Sequence, residues 1–169
     1  MKNKLFILLA ANLVFTANAE SINSIVEFFS YRCSHCANIN SQLDGYVNSH
    51  KVKFFAVNVD NTDMALPVNI TYYVADAAGI GQRFKSEYFN AVAGGMTAYD
   101  PSTLRYVVNK VRTPLFDSLM KSPSERSKVK SKLNQAINLL QTNYVQATPT
   151  FLINDNTLLE GEDFVRSLY

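Results

Sequence analysis

Cysteine and histidine are scarce here. A chain of 169 residues holds two of each. A disulfide scaffold needs more cysteines at wider spacing, and a zinc site normally wants four ligands, whereas the only other candidates are His35 and His50. Long apolar runs are missing as well: the stretch Leu5 to Phe15 is broken by Asn12 and falls short of the roughly 20 residues that a spanning helix needs. No internal repeat or low-complexity tract stands out. Charge of one sign is lacking too, with 16 Lys+Arg against 14 Asp+Glu. What is present is apolar: 47% hydrophobic residues, with 11 Phe and 9 Tyr, a composition that argues for a packed core and against disorder.

The first residues read as an address. Met1 to Lys4 is basic, Leu5 to Phe15 apolar, and Ala17-Asn18-Ala19 a small-residue cleavage site, the pattern of a secretory signal peptide over residues 1–19. No cysteine follows that site, so a lipoprotein is not expected. Export implies a compartment where disulfides form and persist. Removing residues 1–19 takes away Lys2 and Lys4 and leaves 14 basic against 14 acidic residues. No basic excess then remains to support nucleic-acid binding. The 150 residues left suffice for one domain with a sizeable core.

Hydrophobic patterning predicts the order of elements. Ser24 to Tyr31, rich in Ile, Val and Phe, suits a strand buried on both faces. Cys36, Ile39, Leu43 and Val47 recur at helical spacing, and Val52 to Val59 reads as a second strand. Strand, helix and strand at this length form a βαβ unit with parallel strands. Helices are then expected over Pro67 to Ala78, Gln82 to Ala93 and Pro101 to Arg112, ended or started by Gly79, Gly94-Gly95 and Asp100-Pro101. A long helix opens at the capping box Ser122-Pro123-Ser124-Glu125, with Val129, Leu133, Ile137 and Leu140 as its apolar stripe. Lys128, Lys130 and Lys132 read as its solvated face. Thr148 to Ile153 is a strand entered through Pro149, Asn154-Asp155-Asn156 a hairpin turn, Thr157 to Glu160 its partner, and Glu162 to Tyr169 a closing helix.

The two cysteines stand three apart in Cys33-Ser34-His35-Cys36, where the first helix should begin. A sulfur at that place meets unpaired backbone N–H groups and the positive end of the helix dipole, which favour thiolate over thiol. Cys33 is then the exposed nucleophile, and Cys36, at the head of the apolar stripe, the buried resolving thiol. His35, when protonated, would add positive charge near the sulfur, and Arg32 more. Haem attachment is excluded because Ala37, not His, follows Cys36. A structural disulfide closing so small a loop would stabilise little.

Glu27-Phe28-Phe29-Ser30 running into Cys33-x-His35-Cys36 resembles the DsbA family of exported thioredoxin-fold dithiol oxidases. The resemblance implies an α/β, thioredoxin-like fold with an inserted all-helical subdomain, the core being residues 20–61 and 144–169 and the insertion 62–143. It implies a periplasmic location, no bound cofactor and no metal. Carried onto this chain, Cys33 is the attacking cysteine, Cys36 the resolving one and His35 the dipeptide histidine. Thr148-Pro149 is the cis-proline dipeptide, the alternative being an ordinary trans proline at a strand entry. Glu27 matches a buried acid beneath the active centre that relays the Cys36 proton; alternatively it reaches water at a strand end. The lysine that pairs with that acid in the family is absent at the aligned place, where Phe54 stands beside Lys53. Ser34, in place of a proline, offers a hydroxyl to the Cys33 sulfur. Implied partners are reduced, unfolded secreted proteins and a DsbB-type membrane quinone reductase, meeting the chain at a groove around Tyr31, His35 and Thr148. A reductase or isomerase on the same fold, or a redox-inert binding protein for unfolded chains, are the rival functions.

Overall fold

The computed structural model describes residues 21–168; residues 1–19, expected to be a signal peptide, lie outside them. Strand β1 (Ser24–Phe29) is followed by helix α1 (Ser34–His50) and strand β2 (Lys53–Asn58). Five helices come next: α2 (Leu66–Ala77), α3 (Gly81–Ala93), α4 (Pro101–Val111), α5 (Pro114–Lys121) and α6 (Pro123–Asn143). The chain closes with β3 (Thr150–Ile153), β4 (Thr157–Glu160) and α7 (Asp163–Arg166).

The four strands form one sheet in the order β2-β1-β3-β4. β1 runs parallel to β2, with Val26 opposite Phe55, and antiparallel to β3, with Val26 opposite Leu152. Being central and covered on both faces, β1 is buried from Ile25 to Phe29, as its continuous apolar run predicts. The sheet separates two cores. On one side α1 and α7 pack Ile39, Leu43, Val47 and Val165 against Ile25, Phe151 and Ile153. On the other, the inserted helices bring Tyr72, Phe84, Tyr88, Val107 and Phe116 against Phe28, Val57 and Leu152. Helix α1, which is capped by Cys33 and carries Cys36, packs on the sheet and also touches α3 of the insertion. Among the described residues no helix is long and apolar enough to cross a membrane.

Helix α5 is the element that patterning overlooks: Leu115, Phe116, Leu119 and Met120 recur at helical spacing, but eight residues fall short of the window over which such spacing is read. Its cap was nonetheless written in the chain: the Thr113 side chain accepts from the Phe116 N–H, and Pro114 follows at the first helical position. The capping box at α6 is half formed. Ser122 Oγ accepts from the Glu125 N–H at 3.3 Å, but the Ser122 N–H is spent on the Leu119 carbonyl that ends α5, so Glu125 turns to Lys128 instead. Ser122 thus closes one helix and opens the next. Ser122→Ala should lower stability by about 1 kcal/mol, read as a shift in urea midpoint at unchanged slope. The α6 stripe is also rotated from its predicted face, since Ala136 is buried and Ile137 only partly so. The lysines at 128 and 130 are exposed as expected, and Lys132 pairs with Asp76 at 2.6 Å.

Candidate active site

Strand β1 delivers the chain to a short turn, and α1 starts immediately after it. Cys33 is the N-cap of α1: the Cys36 N–H points at its sulfur at 3.1 Å, one of the donors that a helix start leaves without a carbonyl. Ser34 is exposed and does not supply that donor. Cys33 is half-buried, Cys36 is fully buried, and both are free thiols. Burial above all, and then the neighbouring Cys33, hold the Cys36 thiol far above the ordinary cysteine range. One sulfur is thus reachable and the other is sheltered beneath it, close enough to follow it in a second step.

Thr148-Pro149 is a cis peptide. The loop that carries it brings the Thr148 carbonyl to 3.4 Å from the Cys33 sulfur, which donates to it as a thiol. Beyond that loop Gly161 turns the chain with φ of +88° and its N–H donates to the Pro149 carbonyl at 2.8 Å. Glycine adopts this left-handed backbone without penalty. The turn presents Glu162 to His35, whose Nδ1 pairs with the carboxylate, while Arg166 holds the other oxygen at 2.6 Å. The hydrogen bond from His35 draws the Glu162 carboxyl below its usual value. Any positive charge on His35 is therefore shared with Glu162 rather than directed at the sulfur alone. His35, Thr148, Pro149, Glu162, Asp163 and Arg166 line a polar recess of about 370 Å³. On the opposite side of Cys33, Ala37, Phe89, Val92 and Ala93 line a more apolar one of about 290 Å³.

Tyr31 borders the recess beside Cys33 but presents little surface to it. Only 2% of it is exposed, and its ring packs against Phe29, Tyr88, Phe89 and Tyr99. The reason is its place at the end of a strand facing the aromatic insertion. Arg32 likewise turns away from Cys33. Its guanidinium lies 4.9 Å above the Tyr99 ring and 4.0 Å from Asp60. Asp60 in turn receives the hydroxyls of Ser30 and Tyr99, and Tyr99 accepts the Tyr31 N–H at 3.3 Å. A side chain of the insertion thereby holds the backbone that leads into Cys33.

Glu27 is fully buried, so it does not reach water at a strand end. Its partner is Lys85 of α3, also fully buried, whose ammonium contacts Glu27 Oε2 and lies 4.8 Å from the Phe29 ring centre. Lys53, beside Phe54, is exposed. No local signal marks Lys85, because it enters from 58 residues away on an ordinary amphipathic helix. Asn40 and Asp44 were missed as well, although their spacing from Cys36, at four and eight residues, was there to be read. Among the described residues no group of three or more His, Cys, Asp or Glu side chains is placed to hold a metal ion.

A four-stranded sheet interrupted by helices, with a Cys-x-x-Cys at the first helix start and a cis-proline loop against it, defines a thioredoxin-fold dithiol protein. The thioredoxin family model matches residues 14–165. The chain belongs to that family. No curated protein matches it significantly in sequence. Among solved structures it is similar to reduced DsbA1 from Neisseria meningitidis, with 19% identity, TM-score 0.66, and coverage of 94% of this chain and 86% of that one. It is similar also to the oxidoreductase DsbA from Xylella fastidiosa, with 24% identity, TM-score 0.64, and coverage of 86% and 80%, and to Pseudomonas aeruginosa DsbA, with 16% identity, TM-score 0.66, and coverage of 86% and 79%. The fold is thus the thioredoxin-like, helix-inserted fold of DsbA structures.

Proposed function

We propose that the chain is an exported thiol:disulfide oxidoreductase that introduces disulfides into secreted proteins through Cys33 and Cys36. The observation that carries this reading is the pair of unequal sulfurs: Cys33 half-buried at the head of α1 with the Cys36 N–H aimed at it, Cys36 sealed beneath. In the oxidised protein a substrate thiolate attacks the Cys33 sulfur, the Cys33–Cys36 bond breaks, and its electron pair leaves on Cys36. A second substrate thiol then attacks the mixed disulfide and expels Cys33 as thiolate, for which the helix start is suited. The substrate departs oxidised and the protein holds two thiols. A membrane quinone-linked reductase of the DsbB type reoxidises it by offering a disulfide of its own. Both partners approach the face formed by His35, Thr148 and the recess beside them, in the periplasm, after removal of residues 1–19.

Donors aimed at the Cys33 sulfur stabilise the reduced form and so make the disulfide the stronger oxidant. Equilibration of the Cys33–Cys36 couple with glutathione buffers should give a potential above about −200 mV, against about −270 mV for thioredoxin. A value near thioredoxin's would assign the chain to reduction instead.

A further inference from the structure

Cys36, Asn40 and Asp44 recur every fourth residue on α1 and share one face of it. That face meets α3. The Asn40 amide donates to Ser86 Oγ at 2.7 Å and to Asp44 Oδ2 at 3.4 Å, and the Ser86 hydroxyl stands 3.5 Å from the same Asp44 oxygen. Ser86 is the neighbour of Lys85, whose ammonium holds Glu27. A polar seam therefore runs from beneath Cys36 outward between two helices.

Three oxygens of the seam, Glu27 Oε1, Asn40 Oδ1 and Asp44 Oδ1, are buried without a hydrogen-bond donor among the described residues. Each such acceptor costs about 1–3 kcal/mol unless a donor reaches it, and buried acceptors of this kind are where ordered water bridges protein groups. Glu27 lies wholly inside, whereas Asp44 is only half-buried. The inner and outer acids are thus separated by a gap whose unpartnered oxygens suit bridging water.

We infer that Asn40, Asp44 and Ser86 form the outer half of a proton path that connects Glu27 and Cys36 with solvent. The inference rests on the exchange reading above. When the Cys33–Cys36 bond breaks, a proton from solvent passes through Asp44 to Glu27 and on to the electron pair on buried Cys36, which leaves Glu27 again a carboxylate paired with Lys85. On reoxidation the Cys33 thiolate attacks the partner's disulfide, Cys36 gives its proton to Glu27 and attacks the Cys33 sulfur, and the partner leaves as thiolate. One proton enters by the seam on reduction and one leaves on reoxidation. Asp44 touches neither sulfur and acts through Glu27.

The groups facing Asp44 are Asn40 on its own helix, Lys85 and Ser86 from α3, and Glu27 from β1. Burial pushes Asp44 up to about 6, and Lys85 pulls it back toward its usual range. An acid that exchanges its proton near neutrality suits a relay.

The test separates the two steps of oxidation by glutathione disulfide, with acid-quenched samples resolved by mass. Cys36→Ala isolates the attack of Cys33. In Asp44→Asn that attack should stay within about twofold of the wild type, while resolution by Cys36 slows about tenfold or more. The inflection of the resolving rate near pH 6 should vanish, and imidazole buffer or Asp44→Glu should restore it. Resolution at the wild-type rate and pH profile in Asp44→Asn overturns the path. So does a slowed rate that keeps its inflection and ignores imidazole, the mark of a purely structural role. If wild-type Cys33 fails to form the glutathione adduct at all, the exchange reading falls first and takes the path with it.

Discussion

With Cys33 replaced by alanine, oxidation of a reduced test protein should fall to the uncatalysed glutathione background. The loss should be total because every step passes through that sulfur: it is the half-exposed thiol of the pair, whereas Cys36 is fully buried and cannot meet a foreign disulfide. Cys36→Ala should behave differently. Cys33 still attacks, but the sheltered thiol that would resolve the adduct is gone, so mixed disulfides accumulate and appear as higher bands on non-reducing gels. The proteins caught in those bands are the substrates. A binding protein without redox turnover would treat the two variants alike and would hold unfolded chains equally well in both. Retention of disulfide transfer by Cys33→Ala would remove the proposed chemistry altogether.

The largest effect on stability is expected from Lys85→Met. Glu27 and Lys85 are both shut away from water, and removing one partner leaves the other charge uncompensated, a loss of about 3–5 kcal/mol. For a domain of this size that corresponds to a fall in Tm of roughly 10 °C. Replacing both partners, as Glu27→Leu with Lys85→Met, should recover most of the loss, since an apolar pair of similar volume often equals a buried ion pair. The neighbouring Phe29, Phe54 and Phe89 rings, 4.8–5.9 Å from the ammonium, provide a surface against which a methionine packs. Urea unfolding of the two variants separates the outcomes. A single variant as stable as the wild type would mean that the pair is not a charged one.

Local chemistry was what the chain made legible. The α1 stripe, the cap at Asp100, the hairpin at Asn154-Asp155 and the burial of Cys36 beneath Cys33 depend on residues within a few positions of one another, and each stands where patterning placed it. What escaped depends on distant partners. Lys85 reaches Glu27 only after α3 has been folded across β1, and Tyr31 is withdrawn from the surface by Tyr88, Phe89 and Tyr99, none of them nearby in the chain. His35 was legible as a residue of the centre, but not its tie to Glu162, which depends on the turn at Gly161. Helix α5 escaped for the opposite reason, its apolar face of Leu115, Phe116, Leu119 and Met120 being local but only two turns long.

Tyr99 gives the molecule a property that neither half has alone. One phenol fastens the strand end before Cys33 to the turn between α3 and α4, by way of Tyr31 and Asp60. Were the helices to swing outward, that tether would have to part first. The turn into Cys33 is therefore held from two sides, by Tyr99 of the insertion and by Ser30 with Asp60 of the core, so that displacing the helices would remove one hold and leave the other.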